Sequence, residues 1–441
     1  MNRVLIKNIV AGQVCRISGF VENIRDGKTM GFLVIKDISG KLQVTIEKGA
    51  NPALDAVFAE LTADSVVDIS GMVNANDFVQ MGGIEMLPDS IAILSPADAL
   101  PIVRREIPGT KKRKAVERSS IDQRLDYRWI DLRTDENHLM MRVQTLIQSA
   151  LRDFLIGENF IEIHSPKLIG SASESGSEVF ALDYYDTKAY LAQSPQFYKQ
   201  MAMAAGLERV FEIGPVFRAE KSHTNRHATE YMSIDLEMSY IDSYRDVIEL
   251  KSRMLVHVFQ AVKDAYGDEI SALFDKEIIV PALPFPIVTL PDLLKGLADE
   301  FGYAQPIEDA GNLSTEAEQL SFQWVQKHYN HEFLYVTDFG AEKRAFYHMR
   351  ENGIPQGFDL IWRGVEITTG AQREHRYAPL KAQADEIGLG ADVQYYLDFF
   401  RYGCPPHGGF AIGLERLSML MLGMTIKEAA FLFRGPTRLT P

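Results

Sequence analysis

Residues 210–240, VFEIGPVFRAEKSHTNRHATEYMSIDLEMSY, constrain this chain more than any other stretch. Val210, Phe211, Ile213, Val216 and Phe217 form an apolar run around Gly214 and Pro215. Met232, Ile234, Leu236 and Met238 then alternate with Ser233, Asp235, Glu237 and Ser239. The first run reads as a strand, and the second has the period of two expected of a half-buried strand. The segment between them, RAEKSHTNRHATE, has almost nothing apolar to bury. The pattern predicts a hairpin with Arg218 and Glu220 ending one strand and Arg226 and His227 in the loop. Arginine offers phosphate or carboxylate a planar donor fork and stacks on purines, so this hairpin suits a polyphosphate nucleotide. From the residues alone, a charged hairpin on a solvated edge competes with that reading.

A chain of 441 residues is expected to form two or three domains with a large core. Its apolar share of 46% and charged share of 24% are those of an ordinary globular protein. The opening MNRVLIKNIV has too short an apolar run for a signal peptide, and no run approaches a membrane span. Cys15 and Cys404 are the only cysteines, which argues against a disulfide framework and for the cytoplasm. The net charge of −14 disfavours a protein that coats nucleic acid non-specifically, but a specific RNA contact needs only a local surface.

Residues 14–46 alternate in three short strands broken at Asp26-Gly27 and Ser39-Gly40; residues 52–61 read as a helix, and 65–73 and 83–87 as two more strands. Five strands and one helix predict an OB-fold barrel over residues 1–100, a fold that binds single-stranded nucleic acid by stacking bases on aromatics. Residues 101–133 read as a linker or hinge, with a basic cluster at Lys111, Lys112, Arg113 and Lys114. Residues 134–441 are the expected α+β main domain. It begins with a helix at about 137–157, whose Leu139, Val143, Leu146, Ile147, Ala150, Leu151 and Phe154 repeat every 3.6 residues. Residues 170–180, GSASESGSEVF, read as a small-residue loop carrying the carboxylates Glu174 and Glu178, and residues 245–330 as a helical insertion. The strand FDLIWRGVEITTG carries Asp359 and Glu366, carboxylates that must be paired or metal-bound if buried. In GCPPHGGFAIGLERLSMLML, glycines 408, 409 and 413 are expected to let backbone approach a ligand, with Arg416 on the first turn of a helix.

FRAE…TNRH, the helix–strand–proline unit ending in FIEIHSPKL, and GLER together resemble motifs 2, 1 and 3 of the class II aminoacyl-tRNA synthetases, subclass IIb. GF-V-x-x-IRD followed by FLVIKD-x-x-G-x-LQVT resembles the anticodon-binding barrel of the aspartyl, asparaginyl and lysyl branch. The similarity is closest to aspartyl enzymes of the archaeal and eukaryotic type. It implies an OB-fold barrel joined to an antiparallel catalytic sheet flanked by helices, and not a P-loop fold, since no G-x-x-x-x-G-K-[ST] occurs. The implied reaction is ATP-dependent attachment of L-aspartate to tRNA(Asp) through an aspartyl-adenylate, with Mg²⁺ and a homodimer built on motif 1.

The resemblance also implies residue roles. Arg218 and Arg416 are the catalytic pair, and Glu220, Arg226, His227, Glu366, Gly413 and Glu415 join them on ATP. Glu174, Gln196, Lys199, Arg218, Thr369 and Arg373 bind aspartate, and Glu366 and Thr369 ligate Mg²⁺. Arg25, Phe32, Gln43 and Glu85 read the anticodon. Lys199 and Arg373 place two cations at the substrate side chain; an amide is expected to leave one unpaired, which disfavours an asparaginyl enzyme. Three alternatives stay open: an enzyme that aspartylates both tRNA(Asp) and tRNA(Asn), an aspartyl-adenylate-forming paralogue that uses no tRNA, and an RNA-binding regulator. The C-terminal FRGPTRLTP departs from the expected Phe-Pro-Arg-Asp sequence, which puts acceptor-end handling in question.

Overall fold

The computed structural model describes residues 1–106, 115–170, 179–220 and 227–441. Their backbone forms two compact units, Met1–Ser119 and Ser120–Pro441.

The first unit is a closed barrel of β1 (Val14–Asp26), β2 (Met30–Lys36), β3 (Lys41–Glu47), β4 (Val66–Ala75) and β5 (Ile84–Ser95), ordered β1-β2-β3-β5-β4. Every pairing is antiparallel except β3 with β5, where Gln43 lies opposite Glu85. Alternate residues fill the interior, among them Ile17, Leu33, Ile35, Leu42, Val44, Val67 and Ile69. Helix α1 (Pro52–Glu60) is capped by Asn51, whose side chain accepts from the Ala53 and Leu54 amides, and it buries Leu54 and Phe58. The Phe58 ring lies so close to Gly31 that a Cβ there would stand 2.7 Å from it.

The second unit is built on one sheet with strands β6 (Ile161–Glu162), β7 (Arg209–Phe217), β8 (Glu230–Ser239), β9 (Ile287–Thr289), β10 (Phe333–Thr337), β11 (Gly357–Trp362), β12 (Val365–Arg373) and β13 (His407–Gly413). Their order is β9-β10-β11-β12-β13-β8-β7-β6, antiparallel except for the outermost pair at each edge. Helices α2 (Asp135–Gly157) and α4 (Tyr244–Phe274) share one core with the apolar side of the sheet. Between them in sequence, α3 (Gln196–Ala204) packs near β8, and α5 (Leu290–Phe301), α6 (Thr315–Tyr329) and α7 (Leu414–Leu422) follow. Among the described residues no helix is long and apolar enough to cross a membrane.

Several expectations change in detail. The apolar face of α2, expected at a dimer interface, is buried inside its own unit: Leu139, Val143, Ile147, Ala150 and Leu151 all belong to the main core. The stretch 245–330 divides in two. Its first part is α4, integral to the main core, while α5 and α6 form a separate cluster around Leu293, Leu297, Ala317 and Val325. Residues 120–133, expected in a hinge, fall in the second unit. Arg128 is fully buried there, donating to the carbonyls of Glu428 and Ala430 and to Asp131 at 2.5 Å, while Arg124 pairs with Glu428 at 2.7 Å. Such buried guanidinium bonds fix a segment in place. The cluster Lys111–Lys114 lies outside the described residues.

Candidate active site

The β7–β8 hairpin forms as expected, in unbroken register from Arg209 opposite Met238 to Phe217 opposite Glu230. Its second strand is not half-buried, however. Ser233 to Ser239 are buried without interruption: Ser233 and Asp235 line a cavity, Glu237 pairs with Lys199 and Arg373, and the Ser239 hydroxyl donates to the Met203 sulfur. That cavity has a volume of about 400 Å³. Gln196, Lys199, Arg218, Glu220, His227, Glu366, Thr369, Arg373, Gly413, Glu415 and Arg416 all line it, so the structure gathers eleven sequence-assigned residues at one site. Glu174 and Arg226 lie outside the described residues.

One end is a buried charge network. Lys199 is 2% exposed; its Nζ stands 3.1 Å from Asp235 Oδ1 and 3.3 Å from Glu237 Oε2. Arg373 reaches the same Glu237 carboxylate at 2.9 Å through Nε and donates through Nη2 to the Gly409 carbonyl at 3.0 Å. Burial alone would raise the Glu237 carboxyl, but the Arg373 and Lys199 cations overcome it and hold the group below its ordinary value. The two cations thus stand against two carboxylates of the protein itself, Asp235 and Glu237. Neither carboxylate was assigned, because their alternation with Ile234, Leu236 and Met238 looked like a solvated face. Glycine 409 takes its meaning from this network. A Cβ there would collide with the Leu236 carbonyl and the Glu237 carboxylate, so the missing side chain makes room for both. At Gly413 an added Cβ meets only ordinary contacts.

Further along the cavity, Asp359 and Glu366 face each other across Thr369, whose hydroxyl lies 2.8 Å from Asp359 Oδ1 and 3.0 Å from Glu366 Oε1. In a regular strand Glu366 and Thr369 would point to opposite faces. A register shift between Leu360 and Ile361 inserts an extra residue in β12 and turns both to the same side. Arg344 clamps Asp359 with two bonds of 2.7 and 2.6 Å and lies 3.6 Å from the centre of the Phe339 ring. This arginine was not assigned, since the stretch FLYVTDFGAEKRAFYHMR reads only as a return to strand character. Burial, then the Asp359 charge, pushes the Glu366 carboxyl up. Among the described residues no three His, Cys, Asp or Glu side chains are placed to enclose a metal. Two adjacent carboxylates and a hydroxyl fit Mg²⁺ nonetheless, because that ion takes one or two carboxylates and completes its shell with phosphate and water.

Arg416, on the first turn of α7, donates to the Glu366 carbonyl at 3.0 Å. Glu415 accepts from the Met232 amide at 3.1 Å, and burial pushes its carboxyl up to about 7. Arg218 lies 3.7 Å from Glu220, and His227 stands 3.9 Å from the other Glu220 oxygen. The Arg218 amide bonds to the Thr229 carbonyl, and the Thr229 amide to the Arg434 carbonyl at 3.0 Å, so the atypical C-terminal segment fastens the base of this hairpin.

On the barrel, Arg25, Phe32, Gln43 and Glu85 form one contiguous cluster. Arg25 lies over the Phe32 ring at 4.9 Å and donates to Gln43 Oε1 at 3.2 Å; Gln43 donates to Glu85 Oε2 at 3.3 Å. Thr45 also binds Glu85, and Asn76 donates to its other oxygen at 2.7 Å. Phe32 is partly buried and is no core residue.

Comparison with known proteins agrees with this geometry. Residues 120–434 match the family of tRNA synthetases class II (D, K and N), and residues 10–94 match the OB-fold nucleic acid binding domain. The chain is 39% identical over 436 residues to an aspartate–tRNA(Asp/Asn) ligase of Methanopyrus kandleri, covering 98% of this chain and 96% of that one. It is 38% identical to an aspartate–tRNA(Asp) ligase of Thermococcus kodakarensis, covering 98% and 97%. In structure it is similar to the asparaginyl-tRNA synthetase of Pyrococcus horikoshii complexed with asparaginyl-adenylate, with a TM-score of 0.89, 27% identity and both chains fully covered.

Proposed function

Because the chain belongs to the class II tRNA synthetases of the D, K and N branch, we propose that it joins L-aspartate to tRNA at the expense of ATP. The observation that carries the choice of amino acid is the buried pair Lys199 and Arg373, converging from helix and strand on one carboxylate, Glu237. Among the described residues Arg373 Nη1 makes no hydrogen bond and is available for a substrate carboxylate.

In the first step an α-carboxylate oxygen of aspartate bonds to the α-phosphorus of ATP while the bond to the bridging oxygen breaks, giving aspartyl-adenylate and pyrophosphate. Arg218 holds the α-phosphate, Arg416 and His227 hold the departing pyrophosphate, and Glu220 reads the adenine. A magnesium ion, when bound at Glu366 and Thr369 with Asp359 beside them, supplies positive charge to the phosphates. No protein nucleophile is needed, so catalysis rests on positioning and electrostatics. In the second step a hydroxyl of the tRNA's terminal ribose attacks the activated carbonyl carbon and AMP leaves. The barrel cluster reads the anticodon, the enzyme works in the cytoplasm, and it acts as a C2 homodimer.

The test is aminoacylation with labelled aspartate on tRNA(Asp) and tRNA(Asn) transcripts, with labelled asparagine in parallel and pyrophosphate exchange measured without tRNA. Aspartylation of tRNA(Asp) alone identifies a discriminating enzyme, and aspartylation of both a non-discriminating one. Asparaginylation would overturn the choice of amino acid. Aspartate-dependent exchange with neither tRNA charged would leave an adenylate-forming paralogue.

A further inference from the structure

We propose that Phe78 is a second stacking platform for an unpaired RNA base, beside the cluster that contains Phe32. This rests on the reading of the barrel as an anticodon-binding surface and adds a residue to the four assigned there, Arg25, Phe32, Gln43 and Glu85.

The first unit has four aromatic side chains: Phe20, Phe32, Phe58 and Phe78. Phe58 is buried under the barrel helix, Phe20 and Phe32 are partly buried, and Phe78 is 96% exposed. Its backbone is well tied. The Phe78 amide donates to Asn76 Oδ1 at 3.0 Å and the Val79 amide to the Asn76 carbonyl at 2.9 Å. The Asn76 amide reaches the Gly83 carbonyl at 2.8 Å, and the Gly83 amide returns to Val79 at 3.0 Å. Val79 is only 7% exposed. The turn thus anchors itself on Val79 and holds the neighbouring phenyl ring out in water, an arrangement that forgoes the hydrophobic gain of burying it.

The ring is also placed beside chemistry. Asn76, which fixes the Phe78 amide through its oxygen, donates through its nitrogen to Glu85, and Glu85 in turn binds Gln43 and Thr45. One side chain therefore couples the exposed ring to the polar row. Amide and carboxylate groups beside an exposed aromatic offer a nucleobase both edge hydrogen bonds and a face to stack on. Stacking tolerates any base, whereas Asp77 and Glu85 nearby would repel a phosphate. The loop joins the last two barrel strands, the position OB-folds use for oligonucleotides.

The experiment measures tRNA(Asp) charging by the full-length protein, with Phe78→Ala, Phe78→Trp and Phe32→Ala compared. Phe78→Ala is expected to raise the KM for tRNA roughly 5- to 150-fold, the range of one stacked base. Aspartate-dependent pyrophosphate exchange should stay within twofold, and Phe78→Trp should restore the KM. A KM within twofold for Phe78→Ala, while Phe32→Ala raises it, overturns the second platform alone. Equal loss in Phe78→Ala and Phe78→Trp also overturns it, since stacking accepts the larger ring. If neither alanine variant moves the KM, the anticodon reading of the barrel falls with it.

Discussion

Lys199 has no neutral surroundings to fall back on: two carboxylates and the Leu236 and Phe410 carbonyls surround its ammonium group. Lys199→Met would leave Asp235 and Glu237 with Arg373 as their one remaining network cation. A kcat/KM loss for aspartate of roughly 100-fold or more is expected in pyrophosphate exchange. Denaturant unfolding should show a stability loss of about 3 kcal/mol, as for other broken buried pairs. A change below fivefold would remove Lys199 from the side-chain site. Glu415 makes a different prediction. Its carboxyl is raised to about 7 from an ordinary 4.5, so between those values the folded state binds more protons than the unfolded. Stability is greatest below the lower value and falls as pH rises through the upper one, by about 3 kcal/mol in all. Glu415→Gln is expected to flatten the melting temperature of the ligand-free protein between pH 5 and 7. An unchanged slope would assign the pH dependence to other groups.

At the scale of elements, β8 and β13 carry the site because they approach closely along their whole length, Glu237 opposite Gly409 and Ser233 opposite Gly413. Gly409→Ala would drive a methyl group into the Leu236 carbonyl and the Glu237 carboxylate. Both the strand pairing and the Lys199–Glu237–Arg373 bridge should suffer. We expect aspartate exchange to fall at least tenfold and stability by about 2 kcal/mol, a typical overpacking cost; Gly413→Ala is the control that should change stability by under 1 kcal/mol. Wild-type behaviour of Gly409→Ala would show that the strands part readily here. Helix α2 was legible in sequence as an amphipathic helix, but not the partner of its apolar face, because a period of 3.6 records that a face is buried and not against what.

Each of the two units has its own core, eighteen buried apolar residues in the barrel and a larger set around the sheet. All the assigned catalytic residues belong to the second unit, and all the assigned anticodon residues to the first. Removal of residues 1–119 is therefore expected to leave aspartate-dependent pyrophosphate exchange within about threefold and to reduce tRNA charging at least 100-fold. If exchange is lost while circular dichroism remains native, the units are coupled more tightly than their separate cores imply.

The sequence by itself determined the elements and the cast of the site. Alternation drew the barrel and the hairpin, the 3.6 period drew the long helices, and the resemblance carried by FRAE and GLER marked Arg218 and Arg416. Only the tertiary structure decided which polar residues are buried. Asp235 and Glu237 look like surface in a linear string, and they become interior because Lys199 and Arg373 pack on them from distant segments, as Asp359 does on Arg344. The bulge that sets Glu366 beside Thr369, the room that Gly409 leaves for a carboxylate, and the balance of two cations by two anions share one cause. Each depends on distances between segments far apart in the chain, which local periodicity does not encode.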